Sequence, residues 1–68
     1  MSTLLEIGKN LKRIRLKQKL TQADVAEKAG INTNYYAQIE RGETNFTINT
    51  FEKLLKALKT KSSAMLPF

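Results

Sequence analysis

Apolar residues recur at helical spacing along the whole chain, and period-two alternation never persists long enough to suggest a strand. Leu4, Ile7, Leu11 and Ile14 form one stripe with Gly8 beside it, while Lys, Arg and Asn fill most positions between them. This predicts a first helix over 4–18 with a polar outer face. Leu20-Thr21-Gln22 interrupts it, and Thr21 can cap the next helix by accepting a hydrogen bond from its free N–H groups. Asp24 then falls at the third helical position, near the positive end of the dipole. A second helix is expected over 22–29 with Val25, Ala26 and Ala29 inward. Gly30 stops it, because glycine takes a left-handed conformation at no steric cost. Asn32 is the next cap, and a third helix over 33–41 buries Tyr36 and Ile39 before Gly42 ends it. After a loop, Thr47 caps a fourth helix over 48–58 with Ile48, Phe51, Leu54, Leu55 and Leu58 apolar. Ser62 or Ser63 is placed to cap a last turn carrying Met65 and Leu66 before Pro67. The expected fold is all-α, a compact bundle of five short helices in one domain over 1–68.

Composition narrows the function. The 68 residues are 41% hydrophobic, enough for one small core, which at this size buries roughly 60% of the unfolded surface. There is no cysteine and no histidine, which removes disulfide frameworks, zinc clusters, thiol nucleophiles and the commonest general base. A non-enzyme without metal or cofactor is expected. Apolar runs are too short to span a bilayer, and no charged start leads into an apolar leader, so a soluble cytoplasmic protein is expected. Twelve Lys and Arg against six Asp and Glu leave a net charge of +6, which favours a polyanionic partner. The charge is clustered. Lys9, Lys12, Arg13, Arg15, Lys17 and Lys19 lie in a stretch that holds no acid, and Lys53, Lys56, Lys59 and Lys61 form a second group. A basic helix lying on an anionic membrane would account for the first group but not for the well-punctuated middle of the chain.

That middle, from Gln22 to Ile39, carries the functional signal. Ala26 is small where two steeply crossed helices must approach, and Gly30 allows the tight turn between them. Ile31, Tyr36 and Ile39 anchor the second of these helices by its inner face and leave its N-terminal outer face free. Such geometry is a helix-turn-helix, in which the second helix enters the DNA major groove. The run Leu-Thr-Gln-Ala-Asp-Val-Ala-Glu-Lys-Ala-Gly-Ile, with Tyr-Tyr-Ala-Gln-Ile-Glu-Arg-Gly after it, resembles the phage-repressor (Cro/repressor, XRE-type) helix-turn-helix family from about Ile7 to Leu66. Within that family, Ile-Glu-Arg-Gly-Glu-Thr-Asn-Phe-Thr-Ile is most similar to controller proteins of restriction–modification systems.

The resemblance implies a lambda-repressor-like DNA-binding domain and assigns roles by position. Thr33, Asn34, Tyr35 and Gln38 would meet base edges, the amides being suited to adenine. Gln22 would approach a phosphate at the start of the second helix. Asn32, Arg41 and Asn45 would hold the sugar-phosphate chain, with Lys12 and Lys17 as further phosphate contacts. Arg15 and Glu40 would form an internal salt bridge fixing the angle of the recognition helix. Val25, Ala26, Gly30, Ile31, Tyr36 and Ile39 would be the motif's core. Three positions depart from the pattern: Tyr36 needs a partner or an outlet for its hydroxyl, Lys59 stands where a glycine is common, and Thr60 replaces an apolar residue.

One recognition helix reads only a few base pairs, so a homodimer on a pseudo-palindromic operator is expected, with half-sites about 34–36 Å apart. Phe46, Ile48, Leu66 and Phe68 are the candidate dimer contacts, whereas Phe51 reads as core. Double-stranded DNA is the expected partner and RNA polymerase a candidate second one, touched through the acidic spot Asp24 and Glu27. The rival reading is an antitoxin or other protein-interaction module on the same fold.

Overall fold

The computed structural model describes residues 3–61, and four α-helices organise them: α1 (Thr3–Lys17), α2 (Gln22–Ala29), α3 (Thr33–Glu40) and α4 (Ile48–Ala57). No strand occurs among the described residues. The count is therefore four helices here rather than the five expected, and the anticipated last turn around Met65 and Leu66 lies outside the described residues. Helices α1, α3 and α4 each end one residue earlier than the apolar pattern suggested, because apolar spacing does not mark where the last helical hydrogen bond falls.

The helix starts follow from their caps. Thr21 Oγ1 accepts from the Asp24 N–H at 3.0 Å, and Asp24 Oδ2 accepts from the Thr21 N–H at 2.9 Å, a reciprocal capping box. Asn32 Oδ1 accepts from the Tyr35 N–H at 3.1 Å, and Thr47 Oγ1 from the Thr50 N–H at 3.1 Å. At the end of α2, Gly30 has φ 71° and ψ 33°, and the Ile31 N–H then reaches back to the Ala26 carbonyl at 2.9 Å. Helix α4 closes with Lys59 at φ 53°, a left-handed conformation that costs a non-glycine residue about 1–2 kcal/mol. Lys59 and Thr60 donate to the carbonyls of Lys56 and Leu55, which satisfies groups that would otherwise be orphaned.

The core sits where α2 packs against α3 and α4 while α1 lies across α3. Leu11, Val25, Ala26, Tyr36, Ile39, Leu54 and Leu58 are fully shielded from solvent, and Ile31 and Phe46 pack against them partly buried. Gly8 marks the closest approach of α1 to α3: a Cβ there would run into the backbone carbonyls of Glu40 and Ile39. No described helix is long and apolar enough to cross a membrane.

Candidate nucleic-acid interface

Helix α3 has two unlike sides. Tyr36 and Ile39 are completely buried and Ala37 nearly so, while Thr33, Asn34 and Gln38 are exposed. This division follows from the helical period. Positions 36 and 39 share the core side, and 34 and 38, four apart, share the outer side. Tyr35 lies between the two sides. It is half-buried, and its hydroxyl donates to the Asn45 carbonyl at 3.3 Å, tying α3 to the loop that follows it.

Beneath α3 lies a buried ionic cluster. Arg15, 7% exposed, meets Glu40, 5% exposed, through two hydrogen bonds: Nε to Oε2 at 2.6 Å and Nη2 to Oε1 at 3.1 Å. Arg15 Nη1 also donates to the Leu20 carbonyl at 2.9 Å. The C-terminal end of α1, the α1–α2 junction and the last residue of α3 are thus held by one guanidinium. Burial pushes the Glu40 carboxyl up. The hydrogen bonds from Arg15, with the nearby Tyr36 hydroxyl and the Gln22 amide, outweigh that and hold it below its usual range. The hydrogen bond to Glu40 likewise raises Arg15.

Gln22 belongs to this cluster, since its Nε2 donates to Glu40 Oε1 at 3.1 Å. One of its two amide N–H donors is therefore committed inside the protein, which leaves the second donor and Oε1. The Tyr36 hydroxyl neither reaches the surface nor finds a partner; it is buried without a hydrogen bond. Burial and the adjacent Glu40 carboxylate push its ionisation far above the ordinary phenol range. An unmet polar group of this kind costs about 1–3 kcal/mol, offset by the large apolar area of the ring.

Around α3 the remaining candidates take different positions. Asn32 is exposed, with its Oδ1 used as the helix cap. Arg41 pairs with Glu43 at 2.9 Å, but both side chains are 54% exposed, so the pair holds its cation weakly. Asn45 is exposed in the same loop and Lys12 is exposed on α1. Lys17 falls elsewhere, in a cleft with Arg13, Gln18 and Lys59. Asp24, half of the expected acidic spot, spends its carboxylate on the Thr21 cap. Of the candidate dimer contacts, Ile48 is 73% exposed. Phe46 stacks on Phe51 with ring centroids 5.9 Å apart, and Leu66 and Phe68 lie outside the described residues. Sequence reasoning did not anticipate Gln18, whose Nε2 donates to the Leu58 carbonyl at 2.6 Å. Forty positions separate the two, and no local pattern announces the contact.

The helix-turn-helix family profile matches residues 11–64. The chain belongs to that family. Among relatives of this helix-turn-helix domain is the immunity repressor protein of Bacillus phage phi105, 39% identical over 61 residues. The match takes in 90% of this chain and 42% of the repressor, so the domain spans less than half of that protein's length. The restriction–modification controller protein C.AhdI from Aeromonas hydrophila superposes with a TM-score of 0.90 at 27% identity, covering 93% of this chain and 96% of that one. The controller protein C.Esp1396I, solved as a tetramer with its natural 35 base-pair operator, matches with a TM-score of 0.86 at 31% identity, covering 96% of this chain and 86% of that one.

Proposed function

We propose that this protein is a sequence-specific DNA-binding transcriptional regulator of the restriction–modification controller kind, acting as a homodimer on a pseudo-palindromic operator. One observation carries the reading: a short helix whose inner side is wholly buried presents Thr33, Asn34 and Gln38 to solvent. Side chains so placed reach base edges without moving the fold, and the amides of Asn34 and Gln38 suit adenine. Arg41 and Asn45 flank α3 to grip phosphates, and the net charge of +6 draws the duplex in. The Arg15–Glu40–Gln22 cluster serves as the brace that sets the helix angle, and it presents Gln22 at the groove edge. Control follows from occupancy, either by blocking polymerase or by touching it from an upstream site.

Selection from a random duplex pool tests this. The expected result is a two-fold-related consensus that outbinds random duplex by about a thousandfold or more, with affinity falling steeply as salt rises. Equal affinity for every duplex would overturn the regulator in favour of a protein-interaction module.

A further inference from the structure

Members of the two basic groups of the sequence, far apart in the chain, meet on one side of the molecule. Arg13 and Lys17 from α1 and Lys59 from the end of α4 line an open cleft of about 510 Å³ together with Gln18, Thr60 and the edge of Ile14. No acid lines it, and no described ion pair involves any of the three cations. Gathering three like charges without a counter-charge works against the fold. The cleft is nonetheless built firmly. Gln18 Nε2 reaches across to the Leu58 carbonyl at 2.6 Å, and Lys59 is held in the left-handed region at φ 53°.

The two α1 cations of the cleft lie on the side of α1 away from α3. At about 100° per residue, Arg13 and Lys17 each lie two positions from Arg15, about 160° around α1 from the side chain that clasps Glu40 of α3. Leu16, outside the cleft's lining but about one turn along α1 from Arg13, is 54% exposed, an apolar contact of no use to a phosphate chain. We infer that this cleft is a second anion-binding surface that takes an acidic, partly apolar segment of a protein partner: carboxylates bind Arg13, Lys17 and Lys59, and a hydrophobic side chain covers Leu16. The Arg13 guanidinium fits a carboxylate two-pronged. The inference rests on the reading of α3 as the DNA-facing helix, since a regulator seated on DNA by α3 leaves this cleft open to a protein.

The test titrates the isotope-labelled full chain with a synthetic peptide of glutamates and leucines at four-residue spacing, following amide shifts at near-physiological salt. Operator affinity is measured on the same samples. Shifts are expected to concentrate at Arg13, Leu16, Lys17, Gln18, Lys59 and Thr60. Arg13→Gln with Lys59→Asn, the latter suited to the left-handed backbone, should weaken the peptide about tenfold. Operator affinity in that variant should stay within about threefold of the original, Arg13 pointing away from α3 and salt screening the remaining interaction. Lys53→Gln, outside the cleft, should leave peptide binding unchanged. Shifts spread over all lysines, or centred on residues 32–38, would overturn the cleft. So would a parallel loss of operator affinity in the double variant, which would make the cleft a DNA phosphate site. Failure of the operator to bind the unaltered protein would instead overturn the reading of α3 and leave the peptide result standing.

Discussion

Glu40 shows how much a single position can carry. It ends α3, accepts from Arg15 and Gln22, and lies beside a tyrosine hydroxyl with no partner of its own. Its carboxyl is held below the ordinary value of 4.5. The unfolded chain therefore binds the proton first as pH falls, and the stabilisation, present above that value, is lost as pH drops through the folded one. Melting temperature is expected to fall from about pH 6 to pH 3, and Glu40→Gln should flatten that fall while lowering the whole curve. A residual acid sensitivity should persist, because the Thr21 backbone hydrogen bond also lowers Asp24. Glu40→Ala should cost about 3–5 kcal/mol in denaturant unfolding, since Arg15 would be left buried and unpaired. Gly8 is the opposite kind of residue, one that matters by lacking an atom. Gly8→Ala gains helix propensity but drives a Cβ into the carbonyls of α3, so a net loss of about 1–3 kcal/mol is expected. Asn34 and Gln38 contribute nothing inward. Their alanine variants should melt with the original protein yet lose about 1–3 kcal/mol of discrimination at one base position each, read from the selected consensus.

At the scale of elements, the turn between α2 and α3 decides where α3 points. Gly30 has φ 71°, and a Cβ added there would meet nothing within 4 Å. The glycine is required by backbone conformation alone. Asparagine tolerates the left-handed region, whereas a β-branched residue does not. Gly30→Asn should therefore cost well under about 1 kcal/mol, and Gly30→Val about 1–2 kcal/mol or more, measured by thermal melting. Equal damage from both would mean that crowding rather than φ governs the turn. The caps at Thr21, Asn32 and Thr47 were legible beforehand because each is a local event within four residues. The end of α4 was not fully legible: Lys59 stands in a left-handed conformation where its residue type argues against one, and the hydrogen bond closing the turn comes from Thr60.

For the whole molecule, the proposed homodimer depends on what the fold leaves exposed. Phe46 and Phe51 stack on each other within the chain, so that of the candidate dimer contacts among the described residues Ile48, 73% exposed at the first position of α4, is the one held out to solvent. Ile48→Glu should leave the fold intact, because the side chain packs on little. In sedimentation it should weaken the proposed dimer by about tenfold or more, and cooperative operator binding should fall with it. An unchanged dimer mass would place the interface elsewhere. The distribution of charge is likewise a property of the assembled molecule. Arg15 spends its charge inside, and Lys17 turns to the cleft on the other side of α1.

The sequence by itself determined the helices, their caps, the left-handed stop at Gly30 and the buried positions of α3, because each depends on spacing within a turn or two of helix. It also marked Arg15 and Glu40 as partners through family resemblance. Only the tertiary structure decided which atoms meet across long separations: Gln22 drawn onto Glu40, the Tyr36 hydroxyl enclosed without a partner, Gly8 pressed against α3, and Arg13 and Lys17 brought to one cleft with Lys59. Local periodicity says which side of a helix is buried. The angle and depth at which helices cross, which decide what that side touches, follow only from packing all of them at once.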